Sequence, residues 1–152
     1  MKKLFYILIA SLVAVCCVAC SSDDDPVVIE GGIAGEWKLM EWEGYEELPF
    51  HVYLALNRDG SFELYQKIET LTYEKLTGHY AVDKTLFTGK YSDGQPLAAE
   101  YDYTLSDTKN TMVMVSRGEK PETMVYVRIF IPEEVKRSAE MTRSEVSAEG
   151  IL

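Results

Sequence analysis

Residues that commonly catalyse reactions or bind metals are few in this sequence. The two histidines, His51 and His79, are too few for a three-histidine metal site, and no H-E-x-x-H segment occurs. The sequence also has no G-x-S-x-G segment of the kind that presents a nucleophilic serine. We therefore predict no metal, no cofactor and no catalytic residue, and we interpret both histidines as strand residues.

Three pairs of acidic residues are the remaining candidates for chemistry. They are Glu41 with Glu43, Glu100 with Asp102, and Glu133 with Glu134. A glycosidase needs two carboxylates that face one cleft at a set separation. The spacing of these pairs instead suits outward-facing strand positions or, for the last pair, the first turn of a helix. The sequence thus favours a protein that is not an enzyme.

The three cysteines, Cys16, Cys17 and Cys20, lie close to the N-terminus. Residues 1–19 place two lysines before an apolar run, which is typical of a secretory signal peptide and is short for a membrane span. The sequence Val-Ala-Cys over 18–20 resembles a bacterial lipobox, with Cys17 in place of the usual leucine. We therefore expect cleavage before Cys20 and attachment of palmitate-like acyl chains to this residue, which would anchor the protein to a membrane.

The residues after Cys20 predict a flexible acidic tether over 20–32, because two serines, three aspartates and a proline do not form a core. A serine followed by an acidic cluster here resembles the signal that exports lipoproteins of the Bacteroidota to the outer face of the outer membrane. A plain spacer is the alternative. Removal of residues 1–19, which carry two lysines and no acids, changes the formal net charge from −10 to −12. This charge excludes nucleic acid as a partner.

The remaining sequence is a series of short segments that are rich in β-branched and aromatic residues and are separated by turns. Eight strands are predicted, over 36–42, 51–56, 61–67, 72–82, 85–91, 98–105, 111–116 and 123–131. Residues 57–60 predict a tight hairpin, and Gly78 predicts a bulge or bend in the fourth strand. Pro132 followed by two acids predicts a short helix, with Val135 and Ala139 as its apolar contacts, near the doubly apolar seventh and eighth strands.

Because all the connections are short, every strand edge finds a hydrogen-bonding partner only if the sheet closes into a barrel. We therefore predict an all-β fold, an eight-stranded antiparallel up-and-down β-barrel with a short C-terminal helix, over 33–141. Residues 142–152 are polar for the most part and are predicted to be disordered.

Gly35-Glu36-Trp37, at the start of the first strand, resembles the lipocalin G-x-W signature. The segments LNRDGSFEL, TGHYAVDKTLFTGKYSDG and YTLSDTKNTMVMVS resemble bacterial lipocalin-like domains, so the likeness spans 33–131. It implies that Trp37 lies with Gly35 on the closed floor of the barrel, under Arg128 of the eighth strand. Such a cation–π contact contributes about 0.5–2 kcal/mol; an exposed strand arginine is the alternative. The T-D-Y-like segment and internal disulfide of other lipocalins are missing.

An eight-stranded barrel either fills with side chains or holds one small ligand. Tyrosines suit such a cavity because each offers an apolar ring and one hydroxyl. The candidates to line it are Tyr53, Tyr73, Tyr80, Tyr101, Tyr103 and Tyr126. The alternative is that these rings pack the core, since the pattern alone does not decide which face of each strand is inside.

Two functions remain open. In the first, an outer-membrane-anchored lipoprotein, exposed at the cell surface, binds or carries a small hydrophobic or amphipathic molecule. In the second, the barrel is a filled scaffold that docks onto a partner protein. A cavity on the order of several hundred Å³ favours ligand binding, whereas a packed interior with an exposed apolar patch favours docking. The sequence leaves the oligomeric state open.

Overall fold

The computed structural model describes residues 32–141 and 150–152. The predicted signal peptide over 1–19, the predicted lipidation site Cys20 and almost all of the predicted tether over 20–32 lie outside these described residues. Within the described part of the chain, no helix has the length and apolar character that a membrane crossing requires.

Eight antiparallel strands form one closed barrel in which every strand pairs with its neighbours in sequence. The strands are β1 (Gly35–Trp42), β2 (His51–Leu56), β3 (Ser61–Lys67), β4 (Glu74–Asp83), β5 (Leu86–Tyr91), β6 (Tyr101–Leu105), β7 (Thr111–Ser116) and β8 (Thr123–Arg128), followed by α1 (Glu133–Met141). Pairing of β1 with β8 closes the ring. The predicted eight-stranded up-and-down barrel with its short helix is confirmed.

Two strands, β6 and β8, are each three residues shorter than the sequence suggests, because their ends make contacts other than strand pairing. β6 begins at Tyr101 and not at residue 98, and the amide of Ala98 donates to the main-chain oxygen of Leu152 at 2.8 Å. β8 ends at Arg128 and not at residue 131, because the chain leaves the sheet there and buries Ile131 beside α1.

Gly78 makes room for aromatic side chains and does not produce a bulge. The pairing of β4 with both neighbours is continuous through this residue, which lies between Phe62 and Tyr91. The two rings meet edge to face, 5.7 Å apart, and a β-carbon on Gly78 would lie 2.5 Å from the Phe62 ring. Of the predicted bulge or bend at Gly78, the bulge is therefore wrong; an irregularity lies in β1 instead, between Leu39 and Glu41.

The core occupies the inside of the barrel, because alternate residues of each strand point inward. Its largest fully buried side chains are Trp37, Tyr126, Phe62 and Phe87. Three methionines, on β7 and β8, are also buried and fit the space between these rings. The three methionines are Met112, Met114 and Met124. Bulky side chains thus fill much of the interior.

The helix α1 packs on the outside of the barrel. Val135 and Ala139 of α1 lie in a second buried cluster with Tyr53 and Tyr65, which point outward from β2 and β3. Glu36 ties the helix to β1, because its carboxylate accepts from the amide of Ile131 at 2.6 Å and from Lys136 at 3.0 Å. Among the described residues, the backbone of α1 lies nearest to β3 and β4, and the helix leaves the outer faces of β7 and β8 uncovered.

Candidate functional site

The end of the barrel at which β1 begins is closed. Trp37 is fully buried there, and its Nε1 donates to the carbonyl of Ile33 at 2.9 Å. The guanidinium carbon of Arg128 lies 4.1 Å from the centroid of the Trp37 ring. These positions match the floor arrangement that the lipocalin resemblance implies, with the arginine over the ring and not exposed on its strand.

Arg128 also holds the segment that leads into β1. Its Nη1 donates to the carbonyl of Ala34 at 2.9 Å, and its Nη2 donates to the carbonyl of Gly32 at 2.6 Å. Gly35 permits this approach, because its φ is +147° and an added β-carbon would lie 2.0 Å from Nη1. A ligand therefore has no passage through this end.

Two of the six candidate tyrosines lie outside the barrel. Tyr53 alternates with Val52 and Leu54, which face the core, so its ring points outward. Tyr73 comes just before β4, and its ring centroid lies 5.9 Å from that of Tyr53 beside α1. The prediction that Tyr53 and Tyr73 line an internal cavity is therefore wrong. The reason for Tyr53 is strand register, whereas Tyr73 lies outside the strands and packs against Tyr53 beside α1.

The other four candidates, Tyr80, Tyr101, Tyr103 and Tyr126, belong to the interior cluster. Tyr80 stacks on Phe87 at 5.3 Å, and its hydroxyl donates to the carbonyl of Asn57 at 2.7 Å. The Tyr126 hydroxyl donates to the sulfur of Met124 at 3.6 Å. Burial raises the pKa of Tyr126, and Tyr101 adds to the effect. Tyr80 and Tyr126 thus pack and brace the core.

The candidate ligand site lies at the opposite, open end. Because the strands run up and down, the loops after β1, β3, β5 and β7 all meet at this end. A half-open cavity of about 640 Å³ lies between the start of β4 and the β5–β6 loop. Its lining includes Leu76, Thr77, Tyr91, Pro96, Ala98 and Leu152. This volume is in the range of small-molecule sites, about 300–1,000 Å³.

Residues 150–152 form one wall of this cavity. Leu152 is fully buried in the interior cluster. Its main-chain oxygen accepts hydrogen bonds from the Tyr91 hydroxyl at 2.9 Å and from the amide of Ala98 at 2.8 Å. The expectation of disorder over 142–152 thus does not describe these three residues; 142–149 lie outside the described part of the chain.

Tyr91 is one of the site residues that the sequence analysis missed. It ends β5 just before a turn, and nothing in the sequence separates it from other strand tyrosines. The sequence does carry a signal for its partner Leu152. The apolar pair Ile151-Leu152 follows a polar stretch, which suggests a buried position. Burial raises the pKa of Tyr91 to about 12. Its hydroxyl therefore stays protonated near neutral pH and acts as a donor.

A second, more apolar cavity of about 420 Å³ lies at the same end of the barrel, within the β1–β2 loop. The edge of the Trp42 ring meets Phe50 at 5.4 Å, and Leu48 packs beside them. Tyr45, at the rim, is 72% exposed. The open end therefore carries apolar surface on both sides.

Acidic residues lie at both cavities, because Asp93 lines the larger one and Glu43 and Glu47 line the smaller one. Asp102 binds Arg117 at 2.6 Å on the exposed outer side of β6, and this partner lowers the pKa of its carboxyl. Glu133 and Glu134 are in the first turn of α1, where the helix dipole favours them. The described residues contain no group of histidine, cysteine, aspartate or glutamate side chains that would hold a metal ion. Binding chemistry at the larger cavity thus combines apolar contacts and the Tyr91 hydroxyl with the charged side chains of Lys75 and Asp93.

A family model described as a lipocalin-like domain matches residues 33–114. The chain therefore belongs to the lipocalin-like domain family, as its G-x-W segment and closed barrel indicate. Among solved structures, the chain is similar to one described as "REP1-NXSQ fatty acid transporter", with a TM-score of 0.42 and 12% identity, over 66% of this chain and 98% of that one. A search of curated proteins returned no match.

Proposed function

We propose that this protein binds a small hydrophobic or amphipathic molecule at the open end of its lipocalin-like barrel and carries or sequesters it without catalysis. The observation that carries this proposal is the half-open cavity of about 640 Å³, which combines apolar side chains and the Tyr91 hydroxyl with polar side chains that include Lys75 and Asp93. A closed and braced opposite end supports a single entrance. Membership of the lipocalin-like family agrees with a binding role.

The geometry supports a ligand that lies partly within the mouth and not deep in the barrel. Trp37, Phe62 and Phe87 fill the interior towards the closed end, so a large molecule would have to displace well-packed rings. At the mouth, Leu76 and Ala98 offer apolar contact without such a cost. We therefore expect affinity for slender molecules and weak binding of bulky ones.

A direct test is native mass spectrometry of the protein purified from its own cells, because a retained small molecule would be identified by its mass. Titration with the fluorescent probe anilinonaphthalene sulfonate gives a second measure. Leu76→Glu places a charge in the cavity and should weaken probe binding by about tenfold. Phe130→Glu is the matched control, since Phe130 is 94% exposed and does not line the cavity. Equal affinity in both variants would contradict the proposed site.

The proposal also includes an anchor. We propose that acyl chains on Cys20 hold the protein at the outer membrane, exposed at the cell surface, as the lipobox-like segment and the acidic tether suggest. Cells fed an alkyne-bearing palmitate should label the wild type and the Cys17→Ser control but not Cys20→Ser. Protease treatment of intact cells should then degrade the protein. Resistance of the labelled protein would place it on the inner side of the membrane.

The alternative, a scaffold for a partner protein, is favoured by one observation. Outward-facing Val113 and Val125 pair across β7 and β8 and are partly exposed, and among the described residues α1 lies over other strands. Val113→Lys should abolish co-purification of a partner under this alternative and should leave probe binding unchanged. A ligand-free protein that loses a partner in this variant would favour docking.

A further inference from the structure

Residues 150–152 enter the barrel in a way that resembles a bound ligand. The Leu152 side chain is fully buried among interior residues. Its main-chain oxygen accepts two hydrogen bonds, from the Tyr91 hydroxyl at 2.9 Å and from the Ala98 amide at 2.8 Å. The segment thus presents an apolar group and an acceptor oxygen to the cavity wall.

The fit extends to the two preceding residues. A β-carbon on Gly150 would lie 1.7 Å from the Tyr91 hydroxyl oxygen, so only glycine permits this approach. The amide of Ile151 donates to the side-chain oxygen of Gln66 at 3.3 Å, and Gln66 is itself buried. Three hydrogen bonds and close packing therefore hold the segment in one position.

The segment lies where the barrel is least complete. β5 and β6 pair directly only through Leu86 with Asp102 and Phe87 with Tyr101. Beyond that point, the β5–β6 loop takes the place of β6, and the amide of Leu97 donates to β5 at 3.2 Å. The next amide, that of Ala98, is satisfied by Leu152. Departure of the segment would leave this donor and the Tyr91 hydroxyl facing the cavity.

These two donors determine which kind of molecule can take the place of residues 150–152. With the segment gone, water or the head oxygen of a ligand takes the place of the Leu152 oxygen, because Tyr91 is only partly buried and Ala98 is exposed. The space occupied by the Leu152 side chain needs an apolar group. A single-chain amphiphile with a carbonyl or carboxylate oxygen at its head supplies both groups. A bulky polycyclic molecule without such an oxygen offers no acceptor to the two donors and is too large for the space of one leucine side chain.

We propose that residues 150–152 are an intramolecular competitor for the ligand site, and that the site takes a single-chain amphiphile whose head oxygen replaces that of Leu152 between Tyr91 and Ala98. This inference rests on the proposed function and adds the class of ligand and its control. The ligand must displace the segment, so its apparent affinity is reduced by the fraction of molecules in which the segment is bound.

The test compares affinities for cis-parinaric acid, a fluorescent fatty acid, and for its methyl ester. Leu152→Asp should drive the segment out of the apolar interior and tighten binding by about tenfold, which corresponds to a closed state populated at about ten to one. Phe130→Asp, on the exposed outside, is the matched control and should not change the affinity. Binding of acid and ester alike means that a neutral carbonyl suffices; binding of the acid alone identifies the carboxylate as the head group.

Tyr91→Phe tests the proposed donor. In the Leu152→Asp background it should weaken binding of the acid by about threefold to tenfold, the range for loss of one hydrogen bond. It should have little effect on anilinonaphthalene sulfonate if that probe binds through apolar contacts. An unchanged affinity for the acid would overturn the assignment of Tyr91.

A measurement on the wild type avoids any folding defect in the variants. The methyl NMR signals of Ile151 and Leu152 should move to solvent-exposed positions when cis-parinaric acid saturates the protein. Persistence of their buried positions with the ligand bound would overturn the competition, while leaving the proposed function intact. Absence of binding to every variant would instead refute the proposed function itself.

Discussion

Replacing Gly35 with alanine tests whether Arg128 closes the barrel as the structure indicates. The added β-carbon would lie 2.0 Å from Nη1 of Arg128, which is too short for any contact. Because neighbouring backbone cannot move without breaking the pairing of β1, the guanidinium must shift. It would then leave the Trp37 ring and the carbonyls of Gly32 and Ala34.

The expected cost has two parts. The φ of +147° at Gly35 disfavours alanine by about 1–2 kcal/mol. The displaced Arg128 loses two partly buried hydrogen bonds, worth about 1 kcal/mol each, and a cation–π contact with Trp37 worth about 1 kcal/mol. We therefore expect Gly35→Ala to lower the free energy of unfolding by about 4 kcal/mol, a large part of the 5–15 kcal/mol that is typical of a domain.

Urea unfolding monitored by tryptophan fluorescence measures this loss, since Trp37 and Trp42 are the two tryptophans of the chain. Gly94→Ala is the control for backbone strain, because Gly94 has a φ of +91° and nothing within 4 Å of an added β-carbon. It should cost about 1–2 kcal/mol. Gly118→Ala, also with nothing within 4 Å, should be nearly neutral.

Combining Gly35→Ala with Arg128→Met separates the cost of displacing Arg128 from the cost of backbone strain at position 35. In the methionine background there is no guanidinium to displace, so the alanine should cost only its backbone strain, and the two substitutions should couple by about 2–3 kcal/mol. If Gly35→Ala costs the same in both backgrounds, or no more than Gly94→Ala, the proposed role of Arg128 at the floor is refuted.

Two further predictions concern the tyrosines and the helix. Burial raises the pKa of Tyr80, Tyr91 and Tyr101 from 10.0 to about 12. The unfolded chain therefore releases these protons first, and the urea midpoint should fall as the pH rises through this window; a constant midpoint would contradict the burial of the hydroxyls. Val135→Ala should lower the free energy of unfolding by about 2 kcal/mol because Val135 is buried between α1 and the barrel. Glu134→Ala, on the exposed side of α1, should change it by less than about 0.5 kcal/mol, and equal losses would argue against the packing of the helix.

Local signals in the sequence account for most of the barrel. Alternation of apolar and polar residues marks each strand, and turn residues such as those over 57–60 mark their ends, because both effects act between near neighbours. The second, third and seventh strands have their predicted bounds. The closed ring follows from eight strands and short connections, since no other arrangement pairs every edge. Gly35, Trp37 and Arg128 were named from a motif resemblance, and the structure brings them together.

The candidate ligand site depends on contacts between distant residues, which no local sequence pattern indicates. Tyr53 and Tyr80 both belong to predicted strands, yet one lies under α1 and the other inside the barrel, because register and the path of the helix decide the face. Tyr91 and Leu152 are 61 residues apart. Sequence alone determined the number, order and approximate length of the strands, since these depend on residues close together in the chain. Only the tertiary structure decided which side chains meet at the open end, because their meeting depends on how distant segments share one limited volume.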